Sequence, residues 1–119
     1  MTDVAKALKR FYSSFGLPAY TEDDVPDDTD VQPPYITYTA VQSDVFSGAT
    51  HQARVWYPGT RNTEANAKAG EIIKRVGRGV KLRAGRGYVC IYPGDPLAQK
   101  QPGDDVRIIY LNLELRAYV

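Results

Sequence analysis

Three features of this 119-residue sequence predict a single α+β domain, two helices packed on a mostly antiparallel or mixed twisted sheet, in the order α-β-β-α-β-β-β. Two segments, one N-terminal and one central, repeat apolar residues with helical period. The remaining apolar residues fall in short runs rich in β-branched and aromatic types, the composition of strands. Two helices are too few to cover both faces of a parallel sheet, so helices layered on one sheet are expected. The length suits one core spanning 1–119, and 43% hydrophobic residues can fill it.

Val4, Leu8, Phe11, Tyr12 and Phe15 fall at i, i+4, i+7, i+8 and i+11, with Lys6, Lys9 and Arg10 between them, which predicts an amphipathic helix over 2–15. Gly16 and Pro18 end it. From 16 to 34 the composition turns to Asp, Pro and Thr, and an extended acidic loop is expected there. Pro34 to Val41 reads as a strand, Ser43 to Gly48 as a turn, and Thr50 to Tyr57 as a second strand with Ala53, Val55 and Tyr57 on one face; an antiparallel hairpin is their natural pairing.

Asn62 or Thr63 can cap a second helix, in which Ala65, Ala69, Ile72, Ile73 and Val76 repeat the apolar spacing. Glu64–Lys68 and Glu71–Arg75 support it at i, i+4, and Gly77 is placed to end it. Val80–Arg83 and Tyr88–Tyr92 read as strands around a turn at 84–87, and 93–105, with three prolines and two glycines, reads as a loop. Along 106–119, Ile109, Leu111, Leu113, Leu115 and Ala117 alternate with Tyr110, Asn112, Glu114, Arg116 and Tyr118. This is the clearest half-buried strand in the chain and the expected centre of the sheet.

Net charge is +1, so bulk attraction to nucleic acid or to an anionic membrane is not implied. Nor is there an apolar run long enough to span a bilayer, or a basic-then-apolar N-terminus of the secretory kind. The charge is unevenly distributed, however. Glu22, Asp23, Asp24, Asp27, Asp28 and Asp30 cluster without a base among them, and Lys74, Arg75, Arg78, Lys81, Arg83 and Arg86 cluster without an acid. Such polarity suits head-to-tail association, although folding could equally bring the two segments together.

Groups suited to catalysis are few. His51, the single histidine, starts a predicted strand and reads as a surface or edge residue; Cys90, the single cysteine, lies between Val89 and Ile91, where burial keeps a thiol inert. The single cysteine excludes an internal disulfide. Asp23-Asp24 and Asp28-x-Asp30 offer hard oxygen ligands but lack the glycine and closing glutamate of a calcium loop, so a solvated or protein-docking loop is the better reading. The glycine- and arginine-rich stretch 77–87 follows a helix instead of opening one and lacks Gly-Lys-Ser/Thr, which argues against a phosphate loop. No catalytic residue, metal or cofactor is therefore expected. Of nine tyrosines, Tyr35, Tyr38, Tyr57, Tyr88, Tyr92, Tyr110 and Tyr118 fall on predicted strands. One small sheet cannot bury them all, which fits either an interface or ordinary strand propensity.

Several strings carry a resemblance: Phe15-Gly16-Leu17-Pro18-Ala19-Tyr20, Asp23-Asp24-Val25-Pro26-Asp27-Asp28, Pro34-Tyr35-Ile36-Thr37-Tyr38, Ala53-Arg54-Val55-Trp56-Tyr57 and Tyr110-Leu111-Asn112-Leu113-Glu114. With them the chain resembles small proteins of siphophage and prophage tail-gene clusters, the tail terminators. The resemblance implies an α+β virion protein, assembled in the host cytoplasm, that forms a hexameric ring on the tail tube and faces the head–tail connector or stopper. DNA would pass through its lumen without specific binding, and no membrane would be involved. The expected contacts are the acidic residues 22–30, the basic residues 74–86 and the aromatics Tyr38, Trp56 and Tyr92, with loop 93–105 reaching a tube or connector partner. Other neck components, or a nucleic-acid-binding accessory protein acting through 74–86, are the alternatives.

Overall fold

Thr2 opens the first helix by accepting the Ala5 N–H at 3.1 Å, and a computed structural model, which describes residues 2–25, 32–41, 49–101 and 106–118, carries the helix from there. This helix, α1 (Asp3–Ser13), buries Val4, Ala7, Leu8, Phe11 and Tyr12 along one stripe. Each large apolar side chain so buried contributes about 1.5–3 kcal/mol against the entropy of ordering it. Gly16, at φ +82°, turns the chain out of the helix, a conformation glycine adopts without a Cβ penalty.

Six strands follow: β1 (Ala19–Thr21), β2 (Tyr35–Tyr38), β3 (Ala49–Pro58), β4 (Val80–Ala84), β5 (Gly87–Gln101) and β6 (Val106–Tyr118). The second helix, α2 (Asn62–Val76), lies between β3 and β4 in the chain. The sheet order is β1-β2-β3-β6-β5-β4, and only β1 against β2 is parallel. The α+β class with a mixed sheet is thus realised, and β6 is central, paired with β3 on one side and β5 on the other. The alternation read in β6 is the observed burial: Ile109, Leu111, Leu113 and Leu115 are buried and their neighbours are not.

One face of the sheet holds the core. Ile36, Val55, Leu111 and Ile91 are fully buried there, with α2 laid across β3, β6 and β5 through Ala65, Ala69, Ile72 and Val76. The small residues let the helix approach closely. Helix α1 contacts β1 on one flank and β4 on the other, although these are the two edge strands, so the sheet curls and α1 bridges its edges. Consecutive residues complete the bridge: Lys9 Nζ donates to the Ala19 carbonyl of β1, and the Arg10 guanidinium donates to the Arg83 carbonyl of β4 at 2.8 Å. Edge carbonyls met by cations are less open to pairing with a foreign strand.

Several expectations are corrected. The segment 16–34 is not all loop: β1 and a 3-10 turn over Glu22–Asp24 lie within it, because parallel pairing with β2 gives Ala19, Tyr20 and Thr21 partners despite the acidic surroundings. The loop expected at 93–105 is strand as far as Gln101, with a register shift between Pro93 and Ala98. Pairing of β4 with β5 stops at Ile91, so among the described strands the outer edge of β5 is free beyond it, where proline is tolerated. Gly94 permits the shift by approaching Asn112: a Cβ there would stand 2.6 Å from the Asn112 carbonyl oxygen. Helix α2 starts at Asn62 after Arg61, with no side-chain cap from Asn62 or Thr63, whereas Gly77 does end it at φ +54°.

Candidate functional site

The acidic flank lies beside β1. Glu22 is taken up within the subunit: its carboxylate faces the Arg54 guanidinium at 3.6 Å, and that guanidinium in turn lies 4.6 Å over the Tyr110 ring. Asp24 accepts the Thr21 hydroxyl at 3.1 Å, and neither Asp23 nor Asp24 has a cationic partner among the described residues. Both stand at the rim of a groove of about 700 Å³ between α1 and β2, floored by Ala5, Leu8 and Tyr38. Asp27, Asp28 and Asp30 lie outside the described residues.

The basic flank lies on the other side of α1. Lys74, Arg75, Arg78, Lys81, Arg83 and Arg86 are all exposed, in the last turn of α2, the α2–β4 turn, β4 and the β4–β5 turn. Arg75, Lys81 and Arg83 line a groove of about 260 Å³ together with Arg10, with Phe11 and Leu82 as its apolar walls, Lys81 and Arg83 leaving β4 on the Tyr88 side. Arg10 was not among the expected site residues. It belongs to α1, far away in sequence, and no local pattern marks it. Among the described residues none of these four cations has a carboxylate partner. Among the described residues, therefore, Asp23 and Asp24 do not neutralise the basic cluster within the subunit; a helix about 10–12 Å across, α1, stands between them.

The sheet face opposite the helices is the third surface. By strand alternation Tyr35, Trp56 and Tyr110 lie on it toward the β2 side, and Tyr88, Tyr92 and Tyr118 toward the β4 side. The aromatics are held in pairs: Tyr35 stacks on Trp56 at 5.6 Å and Tyr88 on Tyr118 at 5.0 Å. Cations cover ring faces, with Lys81 over Tyr88 at 4.3 Å and Arg116 over Tyr92 at 5.7 Å. Trp56 is half-buried and donates its indole N–H to Thr37 at 2.9 Å, and Tyr92 is half-buried against Gly79. Both remain part of the open face. Tyr38 does not. It is 3% exposed, in phase with Ile36 on the core side, and stacks on Tyr12 at 4.6 Å in the space that small Ala53 opposite it leaves. Burial, and then the charge of Asp24, raises its phenol above the ordinary tyrosine value.

His51 is corrected as well: it is 1% exposed, not a surface or edge residue. It is in phase with Ala53, Val55 and Tyr57 on an interior strand, and carrying that alternation two residues back would have revealed it. Its Nε2 meets the Tyr12 hydroxyl at 2.8 Å, while Nδ1 has no hydrogen-bond partner among the described residues. Burial lowers its pKa from 6.5 to about 4, so the ring is neutral at neutral pH, and burial likewise pushes the Tyr12 phenol up. Cys90 is buried but pairs with Arg116 on the opposite side of the sheet from His51, so the two do not form a dyad. Among the described residues no three His, Cys, Asp or Glu side chains come close enough to hold a metal ion, and no helix is long and apolar enough to cross a membrane.

No family model and no curated protein matches this chain. A solved structure carrying no functional description is similar over 98% of this chain and 94% of its own, with a TM-score of 0.67 and 16% sequence identity. At that identity the likeness shows a shared fold.

Proposed function

We propose that this chain is a structural subunit that assembles head-to-tail into a ring, of the tail-terminator kind its sequence resembles. One observation carries the reading: charges of opposite sign, without an ion-pair partner among the described residues, stand on the two flanks of α1 in the same subunit. Unlike surfaces on opposite sides of one molecule are what a heterologous interface requires, and such an interface gives a closed ring when its rotation closes. The number six, the tail tube below, the connector or stopper above, and the place in the virion neck come from the resemblance.

The open sheet face supports an interface with protein. Its aromatics are already ordered, so docking onto them immobilises little more, and tyrosine, tryptophan and arginine are the residues that anchor such contacts. It suits stacking of nucleobases less well, because several ring faces are occupied by a neighbouring ring or a cation. DNA would then pass the ring without being held.

Mass measurement of the purified protein, alone and with assembled tail tubes, tests the reading. The expected result is a closed oligomer on tube ends that halts tube growth. A subunit that leaves tube ends bare would move the assignment to another neck component, and a steep salt slope in filter binding to DNA would favour the nucleic-acid alternative.

A further inference from the structure

The two charged flanks differ in shape as well as in sign. On the acidic side the 3-10 turn Glu22–Asp24 carries Asp23 and Asp24, both exposed and without a cation among the described residues; Glu22 is excluded because Arg54 already faces it. On the basic side Arg10 of α1, Arg75 of α2 and Lys81 and Arg83 of β4 line a recess with Phe11 and Leu82 in its walls; by strand alternation Lys81 and Arg83 leave β4 on the Tyr88 side, so their charges stand at the outer rim of the recess. Clustered positive charge without a counterion raises the free energy of the isolated subunit, and a carboxylate seated beside the four would relieve it. Three of them are already anchored: Arg10 holds the Arg83 carbonyl, Arg83 Nε donates to the Gly85 carbonyl at 3.2 Å, and Lys81 lies over Tyr88. Little side-chain entropy remains to be lost when an anion enters.

We propose that the recess between α1, the end of α2 and β4 receives the acidic turn of a second copy of this chain, with Asp23 and Asp24 seated against Arg10 and Arg75 and met at the rim by Lys81 and Arg83. The docking rests on the ring reading and specifies its subunit contact. It narrows the basic side to the cations around the recess, leaving out Lys74, Arg78 and Arg86, and adds Arg10. Because turn and recess lie on opposite flanks of α1, a subunit cannot satisfy both itself, but each copy can give its turn to one neighbour and its recess to the other. The apolar walls would pack against the stems of the incoming turn, which distinguishes the recess from an open basic patch.

The test is a charge exchange on exposed positions. One full-length variant carries D23K and D24K; a second carries R75E, K81E and R83E, which leaves one positive and three negative charges around the recess. Sedimentation of the wild type at low salt should show the oligomer, weakening as salt rises. Each variant alone should associate about tenfold or more weakly than wild type. An equimolar mixture should regain association, since every contact in an alternating ring then joins opposite charges, and a variant that had merely failed to fold could not be rescued in this way. A wild-type ring that survives either charge reversal, or a mixture that stays dissociated, overturns the docking while leaving the ring reading standing. A wild type that is monomeric both free and on tube ends overturns the two together. Loss of salt-steep binding to a DNA oligonucleotide in R75E/K81E/R83E, with self-association unchanged, would assign the recess to phosphate instead.

Discussion

The buried histidine makes stability depend on pH in a window where little else titrates. His51 is 1% exposed and faces the Tyr12 hydroxyl and the Tyr38 ring, with no carboxylate partner among the described residues to favour its charged form. Its pKa falls from 6.5 in the unfolded chain to about 4 in the fold, through burial. Above pH 6.5 both states hold a neutral ring and the full stability is present. Between 6.5 and 4 the unfolded chain takes up a proton and the folded chain does not, so stability falls as pH falls, at up to about 1.4 kcal/mol per pH unit. Below 4 both states are protonated and the loss levels off at about 3 kcal/mol. By pH 5, before most carboxylates titrate, about 2 kcal/mol should be gone, which is a large fraction of ordinary domain stability. Urea unfolding followed by Trp56 fluorescence from pH 7.5 to pH 5 should show the midpoint dropping by about 0.7–2 M, for slopes of about 1–3 kcal/mol per M. In His51→Gln this dependence should vanish. An unchanged midpoint in the wild type, or the same slope in the variant, would refute the assignment of a neutral, buried ring.

Three further outcomes are expected. Tyr12→Phe removes the hydroxyl that meets Nε2 and leaves both ring nitrogens of His51 without a partner, so unfolding free energy at pH 7.5 should fall by about 1–3 kcal/mol in the same urea assay. Gly94→Ala would drive a Cβ to 2.6 Å from the Asn112 oxygen and 2.9 Å from its carbonyl carbon. Since backbone must move, a loss of about 1–3 kcal/mol is expected in thermal unfolding, with hydrogen exchange faster around the β5–β6 register shift. Ile72→Ala, at a fully buried position where α2 packs on the sheet, should cost about 2–5 kcal/mol by calorimetry.

The open face and the flanks divide the surface chemistry. Tyr38 was expected among the exposed aromatics, and its burial leaves the interface reading to Trp56 and Tyr92, with the stacked rings of Tyr35, Tyr88 and Tyr118, on the other side of the sheet. The acidic residues divide similarly: Glu22 serves the fold by facing Arg54, whereas Asp23 and Asp24 are exposed and have no cationic partner among the described residues.

Elements defined by their own periodicity were legible in the sequence. The stripe Val4, Leu8, Phe11, Tyr12 and Phe15, the alanine-rich stripe of α2 and the alternation of β6 each record which side of a segment is buried, and burial is what makes those segments helix or strand. The separation of acid from base is likewise present in the bare order of residues. What only the tertiary structure decided depends on partners distant in the chain. Three residues of β1 are too few to declare a period and become a strand because β2 lies alongside. The second half of β5 is strand because β6 pairs with it, in spite of its prolines. Most of all, the curl of the sheet places α1 between the two edge strands, and so sets the acidic turn and the basic recess on opposite flanks of one subunit. Local composition encodes how much charge there is, but its direction in space is set by long-range strand order, which no local pattern in this chain carries.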